Sequence, residues 1–239
     1  MLPSGLSFPR AARQAVFFAV SISCLACGNL KEKGYDTRAI ADEVQNRKIK
    51  RVTPAQLEAA ADKWGGRVAR VAQQDLEKVL STALAQYPLE QAAAHCSVAR
   101  LPRVDSATRS YRAVLRRIGR RHRPDSIARV DPALATMEEQ LLDAYRYNAE
   151  NNLPPSNNVQ RIANKYLLFT SPILLENPLC LRCHGKVGPD RSPADHRKLT
   201  ARYNLDSLTN WKKGDLLGMW TITFEKKEMI KRMAIDNDQ

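Results

Sequence analysis

The residues best equipped for chemistry lie in the run Cys180-Leu181-Arg182-Cys183-His184. Two thiols three positions apart stand on one side of a helical turn. From there they can reach the two vinyl groups on one edge of a haem and form thioethers. A His directly after the second Cys is placed to ligate the iron. The same pair can be read as a redox dithiol or as half of a zinc site. A zinc site needs a second ligand pair, and the chain has no other Cys-x-x-Cys and no His-x-x-x-His. A thioredoxin-like pair opens a helix after a strand in an alternating strand–helix order, and the sequence pattern lacks that order. The expectation is one covalent haem c on Cys180 and Cys183, with His184 as an axial ligand.

The remaining cysteines depend on the compartment. Arg10 and Arg13 precede an apolar run from Ala15 to Ile22, and small residues follow. A positive start, a short apolar stretch and a small-residue end form a secretory signal, here residues 1–26. The run is too short to span a bilayer as a mature helix. Leu25-Ala26-Cys27-Gly28 has the form of a bacterial lipobox, although Cys24 stands where such motifs carry Leu. Lipidation at Cys27 is the expectation, with a plain cleaved signal as the alternative. Both place the mature protein outside the cytoplasm, in a periplasm, where thiols tend to pair. Of the five cysteines, Cys24 leaves with the signal and Cys27 takes the lipid. Cys96, Cys180 and Cys183 remain, an odd number that does not suit a disulfide framework.

Lys and Arg outnumber Asp and Glu by 38 to 25, giving a net charge of +13. Export argues against nucleic acid as the partner. A solvated basic surface, or anionic lipid beside an anchor, accounts for the charge. Its densest stretch holds Arg109, Arg112, Arg116, Arg117, Arg120, Arg121 and Arg123, with His122. It reads as a solvated face. Alternatively Arg117, Arg120 and Arg123 supply two-pronged contacts to haem propionates.

The elements that must hold the motif follow from periodicity. Residues 27–52 are polar and charged and read as a tether. Thr53-Pro54-Ala55-Gln56 is a capping box with Pro at the first helical position. Leu57, Ala61, Trp64, Val68, Val71, Leu76, Val79 and Ala83 then mark a helix face, weakened at Gly65-Gly66 and ended before Pro88. A second helix is expected from about 88 to 98, carrying His95 and Cys96. Another starts at Asp131-Pro132, with Leu134, Met137, Leu141 and Tyr145 inward. Tyr166 to Thr170 and Leu216 to Phe224 read as strands. Residues 151–158 and 185–196 read as loops, and 225–235 as a closing helix. Helices first and strands later is an α+β order.

Four stretches give the chain a family likeness. They are Asn46-Arg47-Lys48-Ile49-Lys50-Arg51-Val52-Thr53, Ala92-Ala93-Ala94-His95-Cys96, Tyr166 through Pro172 leading to Cys180-Leu181-Arg182-Cys183-His184-Gly185, and Gly214-Asp215-Leu216-Leu217-Gly218-Met219-Trp220. Together they resemble the single-haem, PAS-like c-type family, long known only as a domain of unknown function. The family occurs in cyanobacterial haem proteins and bacterial periplasmic sensors. Its Arg-Asn-Pro is reduced here to Arg123-Pro124. The resemblance covers about residues 40–230. It implies a PAS-like α+β domain over 53–235, with N-terminal helices on a small antiparallel sheet.

The resemblance also implies that Cys96 can hold the iron opposite His184. A thiolate there would lower the reduction potential relative to Met. The other reading makes Cys96 a small buried hydrophobe. Competing ligands are His95, His122, His196 and Met219. His95 would point about 100° from Cys96 on a shared helix, His196 would be solvated, and Met219 alternates with Trp220 across a strand. The implied function is redox or gas sensing, or a haem-binding module, with a periplasmic electron carrier as the alternative and a redox partner protein unidentified. No paired acid–base residues stand out, and ligands on both faces would block substrate, so an enzyme is not expected.

Overall fold

The computed structural model describes residues 36–49, 52–119, 131–203 and 210–236. It falls into two units divided between Arg51 and Val52. In the first, Thr37–Ile49 forms helix α1. The Asp36 side chain accepts from the Arg38 and Ala39 N–H groups at 2.9 and 3.1 Å. The stretch expected to be a tether therefore contains a helix. The reason is an Asp cap followed by thirteen residues without Pro or Gly. The signal, Cys24 and Cys27 lie outside the described residues. Among the described residues no helix is long and apolar enough to cross a membrane.

The second unit is built on helix α2, Pro54–Gln86. Its capping box is complete: Gln56 N–H donates to Thr53 Oγ1 at 3.2 Å, and Thr53 N–H to Gln56 Oε1 at 2.8 Å. It ends as expected at Tyr87, which is extended ahead of Pro88. At 33 residues it is about 50 Å long. Gly65-Gly66 does not weaken it. Both glycines are buried, and a Cβ on Gly65 would stand 2.3 Å from Cγ of Phe169. The glycine is there to let the helix backbone meet a ring.

The expected second helix is broken. Only Leu89–Ala92 is α-helical (α3). Ala93–His95 and Val98–Arg100 are separate 3-10 turns, with Cys96 between them. Helix α4, Pro102–Tyr111, follows. Its own Leu101 offers no capping side chain, so Asp75 on α2, 2% exposed, accepts from Arg103 N–H at 2.8 Å. Arg112 turns left-handed, φ 48°, and the chain enters a strand.

Four antiparallel strands form one sheet in the order β1-β4-β3-β2. They are Ala113–Gly119, Asn158–Ile162, Tyr166–Leu174 and Leu216–Glu225 for β1 to β4. Where β4 meets the end of β1, Gly218 has φ 155°, and a Cβ would lie 2.1 Å from the Ile118 carbonyl oxygen. Only glycine permits that approach. Helix α5, Pro132–Glu150, is capped by Asp131. Short helices α6 (Pro178–His184) and α7 (Pro193–Tyr203) lie between β3 and β4, and α8 (Lys226–Asp236) closes the chain. The order of helices and a small antiparallel sheet is α+β, as expected.

Helices cover both faces of the sheet, which explains why β3 and β4 are apolar on both. Phe169 and Phe224 face α2. Phe224 meets Trp64 edge-on at 6.3 Å, and Trp64 stacks on Tyr111 at 5.3 Å. Ile118, Leu168 and Met219 face α5, packing with Leu134, Leu141, Leu142 and Tyr145. The Tyr145 hydroxyl bonds Thr170 Oγ1 at 2.8 Å.

Of the arginine cluster, Arg109 and Arg112 are exposed, as a solvated face requires, but Arg116 and Arg117 are not. They lie on β1, where period-two alternation sends neighbours to opposite sides. Arg116 goes to the α5 side and pairs with Glu138; both are buried, 7% and 2% exposed. Burial draws the Arg116 pKa down.

Two expectations follow. Gly65→Ala should cost a net ~1–2 kcal/mol, because the collision with Phe169 outweighs the gain in helix propensity. Gly66→Ala, whose Cβ would meet nothing closer than 3.6 Å, should gain up to ~1 kcal/mol. Urea unfolding of the pair checks the opposite signs. Arg116→Met should lose about 3–5 kcal/mol by stranding Glu138, and the double change Arg116→Met/Glu138→Leu should recover most of it. Equal losses in the single and double variants would refute the buried pair.

Candidate haem-attachment site

The Cys-x-x-Cys-His run sits on an excursion between two hydrogen-bonded strands. Its ends are pinned together: Leu175 N–H donates to the Asp215 carbonyl at 2.9 Å, and Gly214 N–H to the Leu175 carbonyl at 3.0 Å. Asn177 caps α6 by accepting from Leu179 N–H at 3.0 Å, and Pro178 takes the first position. These local signals make seven residues helical, so Cys180 and Cys183 stand one turn apart, as the motif requires.

The far end of α6 is tied back. The Trp211 and Asn210 N–H groups donate to the His184 and Gly185 carbonyls at 3.0 and 3.1 Å. The Trp211 ring stacks on His184, with centroids 5.5 Å apart and an interplanar angle of 20°. Arg191 donates from Nη1 to the Cys183 carbonyl at 2.5 Å. Its side chain is buried, and its Nε and Nη2 have no hydrogen-bond partner. Burial draws the Arg191 pKa down, against the opposing pull of Cys183 and Asp190. Gly185 lies so close to Asp190 that a Cβ would be 2.3 Å from its Oδ2, the oxygen that accepts from Lys186 N–H at 2.7 Å.

Neither thiol is in a disulfide. Cys183 packs with Leu89 and Leu199, flanked by Leu84, Ala93 and Tyr203. Burial, then the nearby charge of Cys96, pushes its thiol up to about 12, with Arg191 opposing. Burial, then Cys96 and Glu77, pushes Cys180 up to about 11, with Arg117 opposing. The pair therefore stays protonated at neutral pH. Because the thiolate is the form that enters disulfide exchange, burial protects it from oxidation.

Cys96 is thus a neighbour of both motif thiols, though it lies 84 positions before the first in the sequence. It is not on a helix with His95. Its backbone has left the helical region, φ −78°, ψ 51°, and His95 stacks on Tyr87 at 5.6 Å. Arg117, on β1, donates from Nη1 to Cys96 Sγ at 3.4 Å and from Nη2 to the Cys96 carbonyl at 2.8 Å. Arg120, Arg123 and His122 lie outside the described residues.

The other candidate ligands are placed as follows. His196 is not in a loop. It lies on α7, half-buried, with Nδ1 buried and without a hydrogen-bond partner. The loop ends early because Ser192 caps that helix, accepting from Asp195 N–H at 3.0 Å. Met219 is fully buried on the α5 side. Trp220 pairs in register with Arg117 on the opposite face and donates from Nε1 to Gln73 on α2 at 3.2 Å. Sequence reasoning missed Arg191, Trp211 and Gln73. Only Trp211 carried a signal, as an aromatic in a polar stretch.

This donor set fits a covalent haem: two reduced thiols a turn apart, an imidazole on the next residue, and a third sulfur near both. Among the described residues no group of three or more His, Cys, Asp and Glu side chains is arranged to hold a bare metal ion. Arg191→Ala should lower thermal stability by roughly 1.5–3 kcal/mol, through loss of its charge-assisted bond to the Cys183 carbonyl. An unchanged unfolding curve would show that the bond does not hold the motif.

Comparison with known proteins gives one family. The model of the Tll0287-like family, described as Tll0287, matches residues 29–224. Among solved structures, that of the cyanobacterial heme-protein Tll0287 is similar, with 16% identity over 73% of this chain and 97% of that chain, at a TM-score of 0.42. No curated protein matches.

Proposed function

The chain belongs to the Tll0287-like family, and from that premise we propose that it is an exported protein carrying one covalent haem c and working as a redox-responsive haem module. One observation carries this reading: two unpaired thiols on a single helical turn, followed directly by His184, with Cys96 beside them. The solved cyanobacterial Tll0287 is described as a heme-protein, and the motif chemistry of this chain agrees with that.

Attachment would balance simply: each S–H would add across one vinyl double bond, sulfur to one carbon and hydrogen to the other, with no leaving group and no net oxidation. Cys180 and Cys183 would hold the group. His184, stacked on Trp211, would supply the imidazole ligand, and Cys96 would supply the second ligand. The bound group would contribute a one-electron ferric–ferrous change. Two protein ligands would favour redox sensing over gas sensing, and no catalytic step is assigned.

Export and lipid anchoring at Cys27 rest on the sequence of residues 1–28. The anchor would hold the protein on a bacterial membrane facing the periplasm, where an electron-donating partner protein reaches it. Fast, reversible electron exchange with such a partner would move the reading to electron carriage.

The test is expression in a periplasm with haem-maturation machinery, followed by haem staining on a denaturing gel. The wild-type chain should keep its haem through denaturation. Cys180→Ser or Cys183→Ser should shift the pyridine haemochrome band towards a single thioether, and the double variant should lose the stain. A wild-type chain that releases its haem on denaturation would refute covalent attachment.

A further inference from the structure

We propose that Arg117 is the positioning residue of Cys96: its guanidinium grips the sulfur and the carbonyl of that cysteine and so sets how strongly the sulfur donates to the haem iron. The inference rests on the reading of Cys96 as an iron ligand.

The two contacts come from the two nitrogens of one planar fork, Nη1 to Sγ at 3.4 Å and Nη2 to the carbonyl oxygen at 2.8 Å. The carbonyl is available because Cys96 sits between two 3-10 turns, outside any α-helix. Its own N–H donates to the Ala93 carbonyl at 3.1 Å. N–H, carbonyl and sulfur of Cys96 are thus all engaged. A lysine ammonium cannot copy a two-pronged, planar grip.

Arg117 is on β1, paired in register with Trp220 of β4, so both side chains stand on the α2 face. Trp220 Nε1 donates to Gln73 Oε1 at 3.2 Å, and Gln73 Nε2 donates to Glu77 Oε1 at 2.7 Å. The guanidinium is also near enough to Cys180 to favour that thiol's ionised form. It therefore lies beside both the attachment helix and the candidate ligand.

An N–H donor to a ligating sulfur withdraws electron density and stabilises the reduced iron. Losing it should favour the ferric form. Arg117→Lys keeps the charge and removes the grip. In the haem-loaded, full-length protein it should raise the ferric:ferrous ratio at fixed potential about tenfold, a fall of about 59 mV for a one-electron couple. When Cys96→Ser is already present, the same change should have no effect on the potential. Arg117→Gln removes the charge as well as the planar fork and serves as the second variant should the Lys form load poorly. Its potential should fall at least as far as that of Arg117→Lys.

The outcomes separate cleanly. If Cys96→Ser leaves the absorption spectrum unchanged, the ligand reading fails and the inference fails with it. If Cys96→Ser alters the spectrum but Arg117→Lys and Arg117→Gln keep the wild-type potential, the ligand reading stands and the inference is overturned. An equal Arg117→Lys shift with and without the Cys96→Ser change overturns it as well, because Arg117 would then act without the sulfur.

Discussion

The ring of Phe169 lies against the backbone of α2 at Gly65, where any side chain would collide with it. That contact sets the height of a 33-residue helix above the sheet. Farther along, the same helix meets Trp220 through Gln73 and then, through Leu84, the cluster of Leu89, Cys183 and Leu199. One rigid rod therefore fixes the distance between the sheet and the attachment helix. With a larger residue at 65 the rod would lift, and the lift would be felt at the haem-binding end. The energy is ordinary side-chain packing, but its geometric reach is long because a helix transmits displacement along its axis.

The site collects parts from distant stretches: Cys96 from a turn between two short helices, Arg117 from an edge strand, and the thiols and His184 from an excursion between neighbouring strands. That excursion costs little to insert. Its ends are already bonded, Leu175 to Asp215 and Gly214 to Leu175, so the loop is closed by the sheet instead of by the bound group. The apolar cluster of Leu89, Cys183 and Leu199 then joins α3, α6 and α7. The motif can be held in place before anything is attached to it.

Features set by neighbours in sequence were legible. The capping box at Thr53, the stop at Pro88, the helix start at Asp131 and the strand at Leu216 each depend on a few adjacent residues, and each can be read from them. The motif at Cys180 belongs to the same class. What escaped notice depends on residues far apart. The helix expected through Cys96 breaks into 3-10 turns, although Ala92-Ala93-Ala94 favours helix on propensity alone. Gly65 read as a weak point because its partner, Phe169, is 104 positions away. Arg191 carried no signal, since a buried arginine in a Gly- and Pro-rich loop looks like any surface arginine until the fold closes over it.

The basic run from 109 to 123 shows why charge composition alone misleads. Seven arginines in fifteen residues suggest a solvated face. Where the run becomes strand β1, period two makes the adjacent guanidinium groups of Arg116 and Arg117 part. Arg116 is driven towards α5, where only a carboxylate makes its burial tolerable, and Glu138 supplies one. Arg117 is sent the other way, to the face shared with α2, and ends on Cys96. One arginine buried against α5 and one set against Cys96 thus follow from a single step along the strand. The step also determines which of Met219 and Trp220 stands on the Cys96 side. Because Trp220 pairs with Arg117, Met219 must face α5. Of the two sulfurs outside the motif weighed as ligands, Cys96 is therefore the one on the α2 face. Strand geometry therefore places the two sulfurs on opposite sides of the sheet.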